Sequence, residues 1–177
     1  MAALKTTKIF GLMLCVSGGL AYAVYAQTPN TPLTEKLTIY QEAPTTRHLD
    51  LDVPGNSLGD AYYLSASLHA SKGGPIIGEM FGNTTLVKLG SPKNLEAEQR
   101  LTLLFFTFNN RLDQIVVAGP AGYLPNANKF SPNQTVVRAI VGGTGKYIGA
   151  RGQLASTYNP DKSYTQVFTL LKENTAN

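Results

Sequence analysis

The chain has 177 residues, 17 Gly, one Cys, two His and no Trp, with 15 basic and 11 acidic side chains for a formal charge of +4. That length fits one domain plus a targeting segment, and 43% hydrophobic against 15% charged residues excludes a disordered polar chain. One Cys and two His exclude a disulfide framework, a four-Cys zinc site and a His-rich metal centre, and so small a charge excess does not indicate nucleic acid.

The N-terminus reads as an export signal. Lys5 and Lys8 precede an uncharged apolar run, residues 9–24, and small residues then alternate as Ala21-Tyr22-Ala23 and Val24-Tyr25-Ala26. Cleavage is expected after Ala26, with Ala23 as the alternative. The run is short for a membrane span and Gly18-Gly19 interrupts it, so no stable anchor is expected after cleavage. The mature chain would be secreted or periplasmic. It would lose Cys15, Lys5 and Lys8, which brings the formal charge from +4 to +2.

Residues 27–35 are polar with two Pro and read as a disordered lead-in. Short β-rich runs follow at 36–42, 58–69, 75–89, 101–108, 112–119, 135–141, 147–157 and 163–171. Turn residues part them: Pro54-Gly55-Asn56, Lys72-Gly73-Gly74-Pro75, Asn109-Asn110 and Asn159-Pro160-Asp161-Lys162. Residues 92–100 hold the one expected helical turn, residues 120–134 the longest loop, and residues 173–177 a tail. Eight strands joined by short turns must hide their edges, which a closed antiparallel barrel does. The expected fold is therefore all-β, a single eight-stranded barrel over 36–172, with a sandwich as the alternative from pattern alone.

The most distinctive string is Val141-Gly142-Gly143-Thr144-Gly145-Lys146-Tyr147-Ile148-Gly149-Ala150-Arg151-Gly152. It lacks the spacing and the Ser/Thr of a phosphate loop. It resembles the GGTGxFxxARG signature of plant dirigent proteins and the GGSGxFxGxxGQV signature of allene oxide cyclases. Ser57-Leu58-Gly59-Asp60, Ile77-Gly78 through Gly82, and Ile115–Pro120 resemble further family strands in the same order. The resemblance implies a calycin-like barrel with a lipophilic central cavity, no cofactor, and self-association of outer faces as a homodimer or homotrimer. It places the cyclase acid at Gln41, the cyclase Asn at Ala66 and the cyclase Cys at Thr84. It places the dirigent acid pair at Ser65-Ala66 and a dirigent Arg at Glu79, and it keeps the Arg of the ARG motif as Arg151.

Alternation puts Asp60, Tyr62, Leu64, Ala66 and Leu68 on one strand face, read as interior. Tyr62 could offer a hydroxyl to a ligand or pack in the core. Asp60 reads equally as a turn acceptor. Glu79 lies among apolar residues and would be a general acid/base if it pointed inward, or a solvated side chain if outward. Arg138, flanked by Val137 and Ala139, would stabilise an oxyanion from inside, or pair with Glu79. His69 reads as an exposed loop residue, and His48, Asp50 and Asp52 lack distinctive metal spacing. The candidate catalytic residues are Glu79 and Arg151. The candidate ligand contacts are Tyr62, Thr84, Arg138 and Tyr147, with no metal site.

Two functions are compatible with these residues. One is a barrel that binds an apolar small molecule and steers its cyclisation or coupling, chiefly by confinement, as a cofactor-free isomerase. The other is a non-catalytic, lipocalin-like carrier or interaction barrel. Charged or phenolic groups converging inside would favour the first, an apolar lining the second, and an interior filled solid neither.

Overall fold

The structure, a computed structural model, describes residues 33–51, 54–91, 93, 96–124 and 129–172. The expected signal, the start of the lead-in and the tail lie outside the described residues. Nine strands form one antiparallel sheet: β1 (Thr34–Gln41), β2 (Thr45–Leu49), β3 (Ala61–His69), β4 (Ile76–Lys88), β5 (Glu98–Phe108), β6 (Asp113–Tyr123), β7 (Thr135–Thr144), β8 (Gly152–Tyr158) and β9 (Tyr164–Leu171). The sheet runs β1-β9-β8-β7-β6-β5-β4-β3-β2, and an additional β1–β3 pairing closes eight strands into a barrel. Among the described residues, no helix is long and apolar enough to cross a membrane.

Period-two alternation builds the interior. On β5, Leu104, Phe106 and Phe108 turn inward, and on β9 Phe168 does the same. Phe106 and Phe168 are fully buried and meet edge-to-face, with ring centroids 4.9 Å apart. Burying each such ring stabilises the fold by about 1.5–3 kcal/mol. Ile39, Leu68, Met80, Ile115, Val117, Ile140 and Leu154 complete an apolar plug across that half of the barrel.

The closing seam is short. β1 pairs with β3 only at Tyr40↔His69 and Gln41↔Leu68. The chain then bends through Glu42–Pro44 and returns as β2, which pairs with the start of β3 from Thr45↔Ser65 to Leu49↔Ala61. One side of β3 is thus covered by two strands in succession, with a break between them.

The hairpins carry the expected turn chemistry. Asn109, Asn110 and Arg111 all have positive φ between β5 and β6, where Asn tolerates the left-handed region. In the signature string, Gly145 has φ 59°, and a Cβ there would strike the Asp113 side chain and the Leu112 carbonyl. At Gly143 a Cβ would strike the carbonyls of Gln114 and Tyr147. The string is therefore a close-packed bend onto the β5–β6 hairpin, not an open loop, and its glycines are required for backbone contact.

Several expected boundaries shift. Thr34 and Glu35 belong to β1, paired with Leu171 and Leu170, and not to a lead-in. β2 lies in a polar stretch that carries no apolar alternation. β5 begins at Glu98, where a helical turn is expected, because Glu98 and Arg100 face inward. β6 runs through Pro120 to Tyr123. A Pro is tolerated there because the β7 ladder on its other edge ends at Ala118↔Ala139. Residues 145–147 form a 3-10 turn, and β8 starts only at Gly152.

Candidate functional site

The half of the barrel opposite the apolar plug is lined by polar and aromatic side chains. On β5, Glu98, Arg100 and Thr102 continue the inward row of Leu104 and Phe106. Arg100 and Glu98 form an ion pair, each at most 2% exposed. The Asn56 amide donates to the other Glu98 oxygen at 2.7 Å, and the Tyr62 hydroxyl donates to Asn56 Oδ1 at 2.8 Å. The Arg100 guanidinium lies 3.9 Å from the Tyr62 ring centre and 4.4 Å from that of Tyr123. His48 of β2 stacks on Tyr62 at 4.3 Å with planes 8° apart, and Phe130 packs on Tyr123 at 4.7 Å. Cation–π contact, the ion pair itself and the Asn56 hydrogen bond make this buried pair tolerable.

A second polar chain crosses the other wall. Ser156 Oγ donates to Gln166 Oε1 at 2.6 Å, and Gln166 Nε2 donates to Gln41 Oε1 at 2.7 Å. Between the two walls lies a cavity of about 40 Å³. Its polar lining includes Gln41, Thr84, Thr102, Tyr123, Arg138, Ser156, Tyr164 and Gln166, and its apolar lining includes Leu64, Met80, Leu104 and Phe130. Pro44 and Leu64, both partly exposed, mark its edge at the β1–β2 break. A surface depression of about 280 Å³ lies at the same break, lined by Ala43, Thr45, Ala66 and Met80 among others. Met80 lines both spaces.

Three groups on the cavity wall are electrostatically distinctive. Burial holds the Arg138 guanidinium below its ordinary pKa; the surrounding groups that oppose this are the hydroxyls of Tyr123 and Tyr164. The guanidinium donates to the Tyr123 hydroxyl oxygen, and its carbon lies 5.5 Å from the Phe130 ring centre. Burial pushes the phenols of Tyr123 and Tyr164 above their ordinary pKa. They stay protonated near neutral pH and act as donors, not bases. Among the described residues, no carboxylate or imidazole lines the cavity.

The expected site residues separate. Thr84 and Arg138 both line the cavity. Tyr62 points inward as expected but is spent on Asn56, His48 and Arg100, beside the cavity and not on its wall. Glu79 faces outward: its neighbour Met80 takes the interior position, and Glu79 pairs with Arg111 of the β5–β6 turn. The expected Glu79–Arg138 pair therefore does not form. Arg151 is exposed before β8, and its carbonyl accepts from Leu171 N at 2.9 Å. Tyr147 packs against Phe108 at the plugged half. Asp60 is fully buried, accepts from Ser57 N, Ser57 Oγ and Leu51 N, and touches His48 Nε2. Those donors, Ser57 N foremost, lower its pKa to about 2, as befits a turn acceptor. His69 is not an exposed loop residue; it is 7% exposed and pins the seam. Asp52 lies outside the described residues, and among the described residues no group of three or more His, Cys, Asp or Glu converges to hold a metal.

Residues that sequence reasoning missed are Thr102, Tyr123, Phe130, Tyr164 and Gln166. The signal for the first was present, since Glu98, Arg100, Thr102, Leu104 and Phe106 alternate with a period of two.

This closed antiparallel barrel is shared, at the level of fold, with solved structures that include a dirigent protein and a Diels-Alderase. The chain is similar to a pyocyanin demethylase (TM-score 0.56, 20% identity, 78% of this chain and 99% of that one). It is similar to the pterocarpan synthase dirigent protein GePTS1 (TM-score 0.53, 15% identity, 86% and 100%). It is also similar to the Diels-Alderase AbmU from Streptomyces koyangensis (TM-score 0.56, 15% identity, 80% and 63%). No family model matches the chain, and no curated protein matches it by sequence.

Proposed function

We propose that this barrel takes up a small, mainly apolar molecule at the break between β1 and β2 and steers its cyclisation or coupling. The observation that carries this is the cavity between Thr84, Thr102, Arg138, Tyr123 and Tyr164, which meets a surface depression at Met80. The flexible Met80 side chain is suited to yield between the two spaces. Confinement of the molecule's apolar body at the cavity edge and in the adjoining depression of about 280 Å³ supplies most of the rate effect. The protonated phenols of Tyr123 and Tyr164 donate to an oxygen that gains negative charge as bonds reorganise. A wall without carboxylate or imidazole suits a reaction that needs no general base. The likeness to a dirigent protein and a Diels-Alderase supports the same reading at the level of fold.

The same missing base favours a second reading, a carrier that binds and does not convert. The two part on product: native mass spectrometry of protein purified from its own source detects a co-purifying compound in both cases. Incubation of the released compound with fresh protein yields a rearranged product only for a steering barrel. A spectrum with bare protein alone contradicts both. We further propose that the chain is exported, and that the mature protein begins at Gln27, read from its intact mass.

A further inference from the structure

Arg138 is 4% exposed, lines the cavity, and leaves its Nε without a hydrogen-bond partner among the described residues. Thr102 is also 4% exposed, lines the same cavity, and leaves its Oγ1 without a partner there. Buried donors are almost always satisfied, and each one left bare costs about 1–3 kcal/mol. The charge is more telling than the bonds. The other buried arginine, Arg100, has Glu98. Arg138 forms no ion pair among the described residues, and the groups acting on it are two neutral phenols and the Phe130 ring. A buried cation needs an anion, and here the described residues supply none.

We infer that the missing anion belongs to the ligand: the cavity receives the carboxylate of a small amphiphilic acid, bound by the Arg138 fork and the Thr102 hydroxyl. The size agrees. A space of about 40 Å³ holds a headgroup and no more, whereas one water needs roughly 10–15 Å³ measured in this way. The apolar body would then lie toward Leu64, Met80 and Pro44, where the cavity reaches its edge. An arginine fork matches a carboxylate in two parallel hydrogen bonds, which a neutral amide cannot reproduce.

This inference rests on the proposal that the interior binds small molecules, and the test separates the two. Calorimetric titration uses 4-phenylbutyrate and 4-phenylbutanamide, which share a body and differ in headgroup. The wild-type protein is expected to bind the acid at least about tenfold more tightly than the amide. Arg138→Gln is expected to bring the two within about twofold of one another. Thr102→Val keeps the shape of the wall and is expected to weaken the acid about threefold without touching the arginine. Equal binding of acid and amide by the wild-type protein overturns the carboxylate assignment and leaves the binding pocket standing. Binding of neither overturns both. An unchanged affinity in Thr102→Val contradicts the hydroxyl contact.

Discussion

The Arg100 guanidinium lies 3.9 Å from the centre of the Tyr62 ring, inside the barrel, while pairing with Glu98. Both charges are almost wholly removed from water. Replacing the arginine alone leaves Glu98 buried with only Asn56, among the described residues, to stabilise it. Arg100→Ala is expected to destabilise the fold by about 3–5 kcal/mol. Changing both partners, Glu98→Gln with Arg100→Met, is expected to cost clearly less. Urea unfolding of the three proteins checks this, and a double variant as unstable as the single one contradicts it.

The barrel seam hangs on His69. Its Nδ1 faces the Gly74 carbonyl at 2.7 Å and its Nε2 faces Glu42 Oε1 at 2.9 Å. Both partners are acceptors, so only the imidazolium satisfies both. The Gly74 carbonyl above all, with Glu42, raises the pKa of His69 above its ordinary value of 6.5. The sign follows from linkage. A raised pKa in the folded state gives stability that is complete below about pH 6.5 and is lost as pH climbs through the raised value. Melting temperature is therefore expected to fall over that interval, and His69→Gln to flatten the slope. A wild-type slope unchanged in the variant removes His69 as its cause.

The outer face of β3–β5 is unusually apolar. Phe81 stacks on Phe105 at 5.4 Å, and Leu103 and Tyr63 stand nearby at 39% and 50% exposure. An exposed apolar cluster of this kind marks an association surface. We propose that copies of this chain meet there as a dimer or trimer. Light scattering is expected to give two or three times the chain mass, falling to one in Leu103→Glu. A monomeric wild-type protein contradicts it.

Barrel closure was legible in the sequence because it follows from period-two alternation and from turn residues such as Asn109-Asn110 and Asn159–Lys162. The polar half of the interior was less so. The family resemblance, not alternation, marks Thr84, which lies between Asn83 and Thr85, and Arg138 stands between Val137 and Ala139 with nothing local to fix its face. Glu79 has apolar neighbours on both sides, and nothing local decides which face it takes. The pairing of Met80 with Ala66 and Phe106 settles that. Residues such as Phe130 and Tyr164 meet the cavity only through the long connection after β6 and the β8–β9 hairpin, and no local pattern encodes that approach. β2 escaped because a strand that flanks a barrel on one side needs no buried face.

The most direct measurement concerns the mouth at the β1–β2 break. Leu64 lines the edge of the cavity and is partly exposed, so Leu64→Trp would block it without disturbing the plug around Phe106. Fluorescence titration with 2-naphthol, small and neutral, is expected to show one saturable site in the wild-type protein. The variant, shown to be folded by circular dichroism, is expected to bind at least about tenfold more weakly, a difference of about 1.4 kcal/mol. No saturable binding, or equal binding by both proteins, would contradict uptake of a small molecule into this barrel.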